Sequence, residues 1–302
     1  MVRGFVIAGI FTLGLLSANA MSVLQDDEFV VEVEQLQDRL YVLRGGGGNS
    51  AAFITEDGVV LVDTKMPGWG QPLIDSIASI TPKPITTVIN THTHFDHVGG
   101  NVDFPNAVTI ITHENTRRLM REWNDITGLN FAGENVFTES EGHGISTRTF
   151  SDRMSLGSGP DRVDLFYFGP GHTGGDAWVV FPALRTMHTG DMFPNKSVPL
   201  LDANNGGSGV GFPETLQNAY DTVTDIDTII TGHSTQMTRA ELEEYARFNR
   251  DFLNAVRNTK DSDLSIDDFV NSWQTPAQYE DYTDAQAQRL QSNAQVIFDE
   301  LP

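Results

Sequence analysis

At 302 residues, 39% of them hydrophobic, the chain is long enough to bury a substantial core as one large α/β domain or two small ones, and it is no disordered tail. Lys and Arg number 19 against 41 Asp and Glu, a formal charge of -22 that repels a phosphate backbone and argues against nucleic acid as a partner. There is no cysteine, so disulfides are excluded and any metal site must be built from nitrogen and oxygen ligands.

In chain order, residues 1–20 read as a signal peptide. Arg3 precedes an apolar run from Gly4 to Leu16, and Ala18 and Ala20 stand where signal peptidase reads small side chains. Cleavage after Ala20 is expected, leaving a periplasmic or secreted mature protein; the apolar run is short for a bilayer span, so no membrane association is expected after cleavage. A start at Met21, which would leave the protein in the cytoplasm, is the alternative. Next, "FVVEVEQLQDRLYVLRG" alternates like strands, and "NSAAFITEDGVVLVDT" reads as two strands turned at Asp57-Gly58. The spacing of "GWGQPLIDSIASI" predicts a helix ending before Pro82, and "ITTVIN" a strand that delivers the chain to "THTHFDHVGG". A helix near Asn115 to Asn124 follows, then a Gly-rich stretch from Thr127 to Pro160 that reads as surface loops.

The second half repeats this plan. "DRVDLFYFGPGHTGGDAWVVFP" reads as strand, loop, strand; "RTMHTGDMF" is a strand ending in a polar loop; "PETLQNAYDTVTD" is helical; "DTIITGHS" is a strand ending in a histidine. Each half thus runs two strands to an aspartate, Asp63 or Asp191, then a helix, then a strand to a histidine. Two such halves predict two sheets face to face between helical layers, with the site where loops of both halves meet. Beyond Thr238, "RAELEEYARFNRDFLNAVRNT", "SIDDFVNSW" and "YTDAQAQRLQSNAQVIFDE" predict a helical extension.

Chemistry concentrates in the first histidine loop. Without thiolates, imidazoles and carboxylates are the usual ligands of a divalent metal, and His92 and His94, one residue apart on an extended loop, can reach one ion. Asp96 and His97 face another direction and can serve a second ion. His172, Asp191 and His233, each following an apolar strand, offer the remaining ligands. Singly, each reads more readily as a turn or capping residue than as a ligand; their equivalent places in both halves favour the ligand reading. Lys196, just past Asp191, reads as a solvated surface lysine, or as a contact for a substrate carboxylate. His188 reads as a supporting residue.

The pattern His92-x-His94-x-Asp96-His97, then His172, Asp191 and His233, resembles the metallo-β-lactamase-fold hydrolase superfamily over Val30 to Arg239. The resemblance implies a four-layer αβ/βα sandwich over residues 21–240, with residues 241–302 a helical extension packed on it. It implies one ion on His92, His94 and His172, a second on Asp96, His97 and His233, and Asp191 bridging both, as in glyoxalase II. It also implies that the Gly45–Ser50 loop opens the domain and that Asp63 braces the ligand loop. The expected function is that of a dizinc hydrolase whose bridging hydroxide cleaves an ester, thioester, lactone or amide bond of a small molecule, with Asp96 orienting the nucleophile and passing on a proton. A broad-spectrum β-lactamase is disfavoured because the commonest subclass has cysteine where Asp191 stands, although a secondary activity on β-lactams stays open. Two alternatives remain: an iron-dependent oxidoreductase with the same ligands, and a metal-stabilised binding protein.

Overall fold

The computed structural model describes residues 29–129 and 131–302; the signal peptide expected over residues 1–20 lies outside them. The alternating opening forms β1 (Glu32–Gln37), β2 (Leu40–Arg44), β3 (Ser50–Ile54) and β4 (Val59–Val62), an antiparallel meander. Helix α1 (Gly70–Ile80) then crosses over to β5 (Ile85–Ile89), which runs parallel to β4. The histidine loop carries one short helical turn, α2 (Phe95–Val98). Strand β6 (Thr109–His113) and α3 (Glu114–Glu122) follow, then α4 (Val136–Glu139) and two edge strands, β7 (Arg148–Phe150) and β8 (Arg153–Leu156).

Strands β9 (Val163–Phe166), β10 (Trp178–Phe181) and β11 (Thr186–His188), helix α5 (Phe212–Thr222) and β12 (Thr228–Ile230) make the second half. Three helices end the chain: α6 (Arg239–Asp261), α7 (Ile266–Ser272) and α8 (Ala287–Glu300). The strands form a seven-stranded sheet, β1-β2-β3-β4-β5-β6-β7, and a five-stranded sheet, β12-β11-β10-β9-β8.

The layers follow from which face of each strand is apolar. Val42, Phe53, Val62 and Ile89 of the first sheet meet Leu165, Val179, Phe181 and Ile230 of the second, and close the space between the sheets. The opposite face of the first sheet, with Leu61 and Val88, is covered by Leu73 and Ile77 of α1. The outer face of the second sheet, with Trp178, Met187 and Ile229, packs on α5, α6 and α8 through Leu216, Tyr245, Phe248 and Ile297. This is the four-layer αβ/βα sandwich. The C-terminal helices share one apolar cluster with the second sheet, and their aromatic positions are core contacts.

The two halves share a local topology as well as an order of elements. In each, two antiparallel strands (β3 and β4, or β10 and β11) lead to an aspartate, and a helix returns the chain to a parallel neighbour (β5, or β12) that ends at the site.

Two expectations need correction, and one strand is added. The stretch from Thr127 to Pro160 is not all loop: β7 pairs parallel with β6, and β8 antiparallel with β9. These strands have only three and four residues and sit at sheet edges, too short for alternation to show. Strand β6 is a further addition, since "TIITH" runs straight into α3 without a turn residue. The last helix begins at Ala287 rather than near Tyr282. Residues before it are held extended because Thr283 N–H donates to Lys196 O and Ser197 Oγ donates to Thr283 O.

Helix α6 opens with a capping box: Thr238 Oγ1 accepts from Glu241 N–H at 3.3 Å, and Glu241 Oε2 accepts from Thr238 N–H at 2.7 Å. Thr238→Ala is expected to cost about 1 kcal/mol, seen as a lower urea midpoint at unchanged slope.

Candidate metal centre

Five histidines and two aspartates converge where the loops after β5, β9, β11 and β12 meet. His92, His94, His172 and Asp191 each offer one ligand-type atom, all within 4.8 Å of one another, and Asp96, His97 and His233 form a second such group. Asp191 touches both: its Oδ1 lies 3.4 Å from His97 Nε2, and its Oδ2 lies 3.2 Å from His233 Nε2 and 3.7 Å from His172 Nε2. Asp96 Oδ2 is 3.4 Å from His233 Nε2 and 3.6 Å from His97 Nε2. Every residue that the motif singled out is therefore in one cluster.

The outer hydrogen bonds decide which nitrogen of each ring faces inward. His172 Nδ1 donates to the Leu200 carbonyl at 2.8 Å, so its Nε2 carries a lone pair. His94 Nε2 donates to Asp202 Oδ2 at 2.8 Å, leaving Nδ1 as the inward lone pair. His97 Nδ1 donates to Asp63 Oδ2 at 2.7 Å. Thr91 Oγ1 gives its hydrogen to the same Asp63 oxygen at 2.7 Å, so it accepts from His92 Nδ1 at 3.0 Å and His92 Nε2 is left unprotonated.

The consequence is a set of lone pairs turned toward one another. His94 Nδ1 and His172 Nε2 face each other at 3.0 Å, lone pair to lone pair. Buried His92 Nε2 and Asp191 Oδ1 have no hydrogen-bond partner at all. Such a constellation is repulsive as it stands and fits divalent cations.

The proton equilibria say the same. Burial, with the neighbouring imidazoles His97, His172 and His94, drives His92 well below the ordinary histidine range, and burial with His94 takes His172 to about 4. Burial also works against a proton on His97, yet Asp96, Asp191 and Asp63 together raise it to about 10. The three carboxylates thus favour positive charge at that place.

Glycines let the backbone come this close. A Cβ at Gly48 would overlap the His97 ring, and one at Gly232 would overlap Asp191 Oδ1. Beneath the glycine loop lies Lys65, fully buried, its Nζ donating to Leu43 O and Gly48 O, with burial lowering it to about 7. His188 has a related task, bonding through Nε2 to Asn49 O and accepting from Gly190 N–H. Asp63 touches no inward nitrogen; it braces His97 and Thr91.

Asp202, which sequence reasoning passed over, is fully buried and fixes His94 while accepting from Thr127 N–H and Asn205 Nδ2. Burial opposes its charge, but the bond to His94 holds it at about 2. A buried carboxylate in "LLDANNGG" was the available signal, hidden because Asp in an Asn/Gly-rich loop also reads as a turn residue. Lys196 needs correcting on both expectations. It is neither solvated nor free for a substrate, because its Nζ pairs with Glu241 at 2.9 Å and lies near Asp281 and Glu244 at 3.8 and 3.9 Å.

Above the cluster opens a cleft of about 520 Å³, bounded by Met66, Phe95, Ile126 and Leu129 on one side and by Pro194–Leu200 and the start of α8 on the other. Its size suits a small molecule rather than a polymer.

The metallo-beta-lactamase superfamily profile matches residues 43–233, which includes every residue of the cluster, and the chain belongs to that superfamily. Among curated relatives, the 2,4-dinitroanisole O-demethylase subunit alpha of Nocardioides sp. (strain JS1661) is 30% identical over 162 residues, 52% of this chain and 45% of that protein. Hydroxyacylglutathione hydrolase of Trichodesmium erythraeum (strain IMS101) is 31% identical over 131 residues, 42% of this chain and 41% of its own length. The chain thus spans less than half the length of either relative. A solved structure, the inverting sec-alkylsulfatase Pisa1 from Pseudomonas sp., has a TM-score of 0.66 at 15% identity, covering 90% of this chain and 50% of that one, a likeness of fold.

Proposed function

We propose that the chain is an exported hydrolase that holds two zinc ions and cleaves an ester, thioester, lactone or amide bond in a small molecule. The observation that carries this reading is the inward set of unpartnered imidazole nitrogens and carboxylate oxygens at the floor of the cleft. His92, His94 and His172 would hold one ion and Asp96, His97 and His233 the other, with Asp191 shared. Ions bound there would acidify a water and polarise the oxygen of the bond under attack.

The chain's own residues do the rest. Asp202, Asp63, Thr91 and the Leu200 carbonyl bond the outward nitrogens of His94, His97, His92 and His172, which leaves the inward nitrogen of each neutral ring as the ligand atom. Asp96, on the cleft wall with its side chain 17% exposed, can accept a proton from a nucleophile and return it to a leaving group. No serine or threonine hydroxyl is needed as nucleophile. Among relatives, a thioester hydrolase name such as hydroxyacylglutathione hydrolase supports the reaction class.

Elemental analysis of the protein expressed without residues 1–20 and without added metal tests the reading, followed by a screen of aryl esters, thioesters, lactones and β-lactams. About two zinc ions per chain with turnover of one of these classes is the expected result. No tightly held metal would overturn it, and iron with no hydrolysis would replace it by the oxidoreductase alternative. Export rests on the leader alone, and amino-terminal sequencing of the mature protein should begin at Met21.

A further inference from the structure

The start of α8 puts one basic side chain on the cleft wall, Arg289, which lines the same space as His94, Asp191 and His233. Seven cations of this acidic chain are engaged: Arg39, Arg44, Arg118, Arg162, Arg185, Lys196 and Arg247 all sit in ion pairs. Arg289 is different. It is half-buried, and among the described residues no carboxylate lies within ion-pairing distance of its guanidinium and no acceptor takes a hydrogen bond from it. Its guanidinium N–H groups are unpaired yet not sealed from the cleft, so an acceptor on a bound ligand can reach them.

Helix α8 is held firmly against the metal centre's own support. Asn293, one turn beyond Arg289, donates from Nδ2 to Pro199 O at 2.7 Å and accepts from Leu201 N–H at 3.3 Å, on either side of the Leu200 carbonyl that fixes His172. Leu290, Ala294 and Ile297 bury the helix in the apolar cluster of the second sheet. Arg289 is thus presented from a rigid element, and from outside the residues that match the superfamily profile. Lys196, just past Asp191, is occupied by its acidic partners, and Lys65 by the backbone carbonyls beneath the glycine loop.

We propose that Arg289 is the anion-recognising residue of this cleft, selecting a small substrate that carries a carboxylate beside its labile bond, with an apolar portion against Met66, Ile126 and Leu129. A carboxylate fits the planar fork of the guanidinium with two parallel hydrogen bonds. Met66 and Leu129, 37% and 48% exposed, line the cleft and offer contact to an apolar substrate portion. The inference rests on the hydrolase reading only for where the labile bond lies.

The test uses the metal-loaded full protein and two esters of matched length, mono-4-nitrophenyl glutarate, which is an anion, and neutral 4-nitrophenyl valerate. Calorimetric titration with glutarate runs in parallel as a readout independent of turnover. The wild type is expected to prefer the anionic ester in kcat/KM by about 10- to 100-fold. Arg289→Met should collapse that ratio through KM rather than kcat and weaken glutarate binding by the same factor, while Arg289→Lys restores part of both. If neither ester turns over but glutarate binding still depends on Arg289, the hydrolase reading fails and the anion subsite stands. Glutarate binding that is absent, or equal in wild type and Arg289→Met, overturns the proposal. Should Arg289→Met fold poorly by circular dichroism, Arg289→Lys decides through its loss of glutarate affinity.

Discussion

Asp191→Asn is expected to lower the cation content from about two per chain to one or fewer, and to cut kcat/KM by more than the roughly 100-fold typical of losing an outer support of a metal ligand. The reason is position. Of the carboxylates in the cluster, Asp191 alone reaches rings of both groups, 3.4 Å from His97 and 3.7 Å from His172. Burial opposes its charge, yet His233 and His97 keep it ionised, well below the usual carboxylate range. Asparagine has nearly the same shape, so packing survives while the negative charge shared by the two ligand groups is lost. Elemental analysis and steady-state kinetics check this together, and a doubly loaded, active Asp191→Asn protein would show that the shared carboxylate is not what holds the pair.

Much of this site is legible in the sequence because ligands must project from fixed backbone positions. His92, His94, Asp96 and His97 lie close together on one loop, and His172, Asp191 and His233 each follow an apolar strand, so motif and periodicity suffice to find them. The fold is legible for the same reason in β3 to β5 and β10 to β12, whose repeated order survives as repeated pairing. What escapes is whatever depends on distant packing. Asp202 is a support only because its loop folds back under His94, 108 positions away in sequence. Lys196 looks solvated until α6 and the segment before α8 bring Glu241 and Asp281 to it. Arg289 belongs to a helix whose apolar stripe is plain, while its place on the cleft wall is set by the tie of Asn293 to residues 199–201. Edge strands β7 and β8 escape because strands of three and four residues carry too little alternation.

Asp63 stands at the place in the first half that Asp191 holds in the second, and the two should fail differently. Asp63 is fully buried and accepts three hydrogen bonds: from Thr91 N–H at 2.8 Å, Thr91 Oγ1 at 2.7 Å and His97 Nδ1 at 2.7 Å. Asp63→Ala strands all three donors in the core and is expected to destabilise the fold by about 3 kcal/mol or more. Asp63→Asn is the more telling change. Its oxygen can still serve Thr91 N–H, but its amide would replace the oxygen that now accepts from His97 and from the Thr91 hydroxyl. His97 Nδ1 must then accept, which moves the proton to Nε2, the inward nitrogen. Thr91 Oγ1, no longer giving its hydrogen to Asp63, is free to donate to His92 Nδ1, which protonates the inward nitrogen of that ring as well. One substitution therefore spoils a ligand in each cation group, and affinity at both is expected to fall about 10- to 100-fold with the fold largely kept. Nitrogen NMR of the imidazoles reports the tautomers directly. Unchanged outward protons on His92 and His97 in Asp63→Asn, with full cation loading, would mean that something other than the Asp63 and Thr91 relay orients these rings.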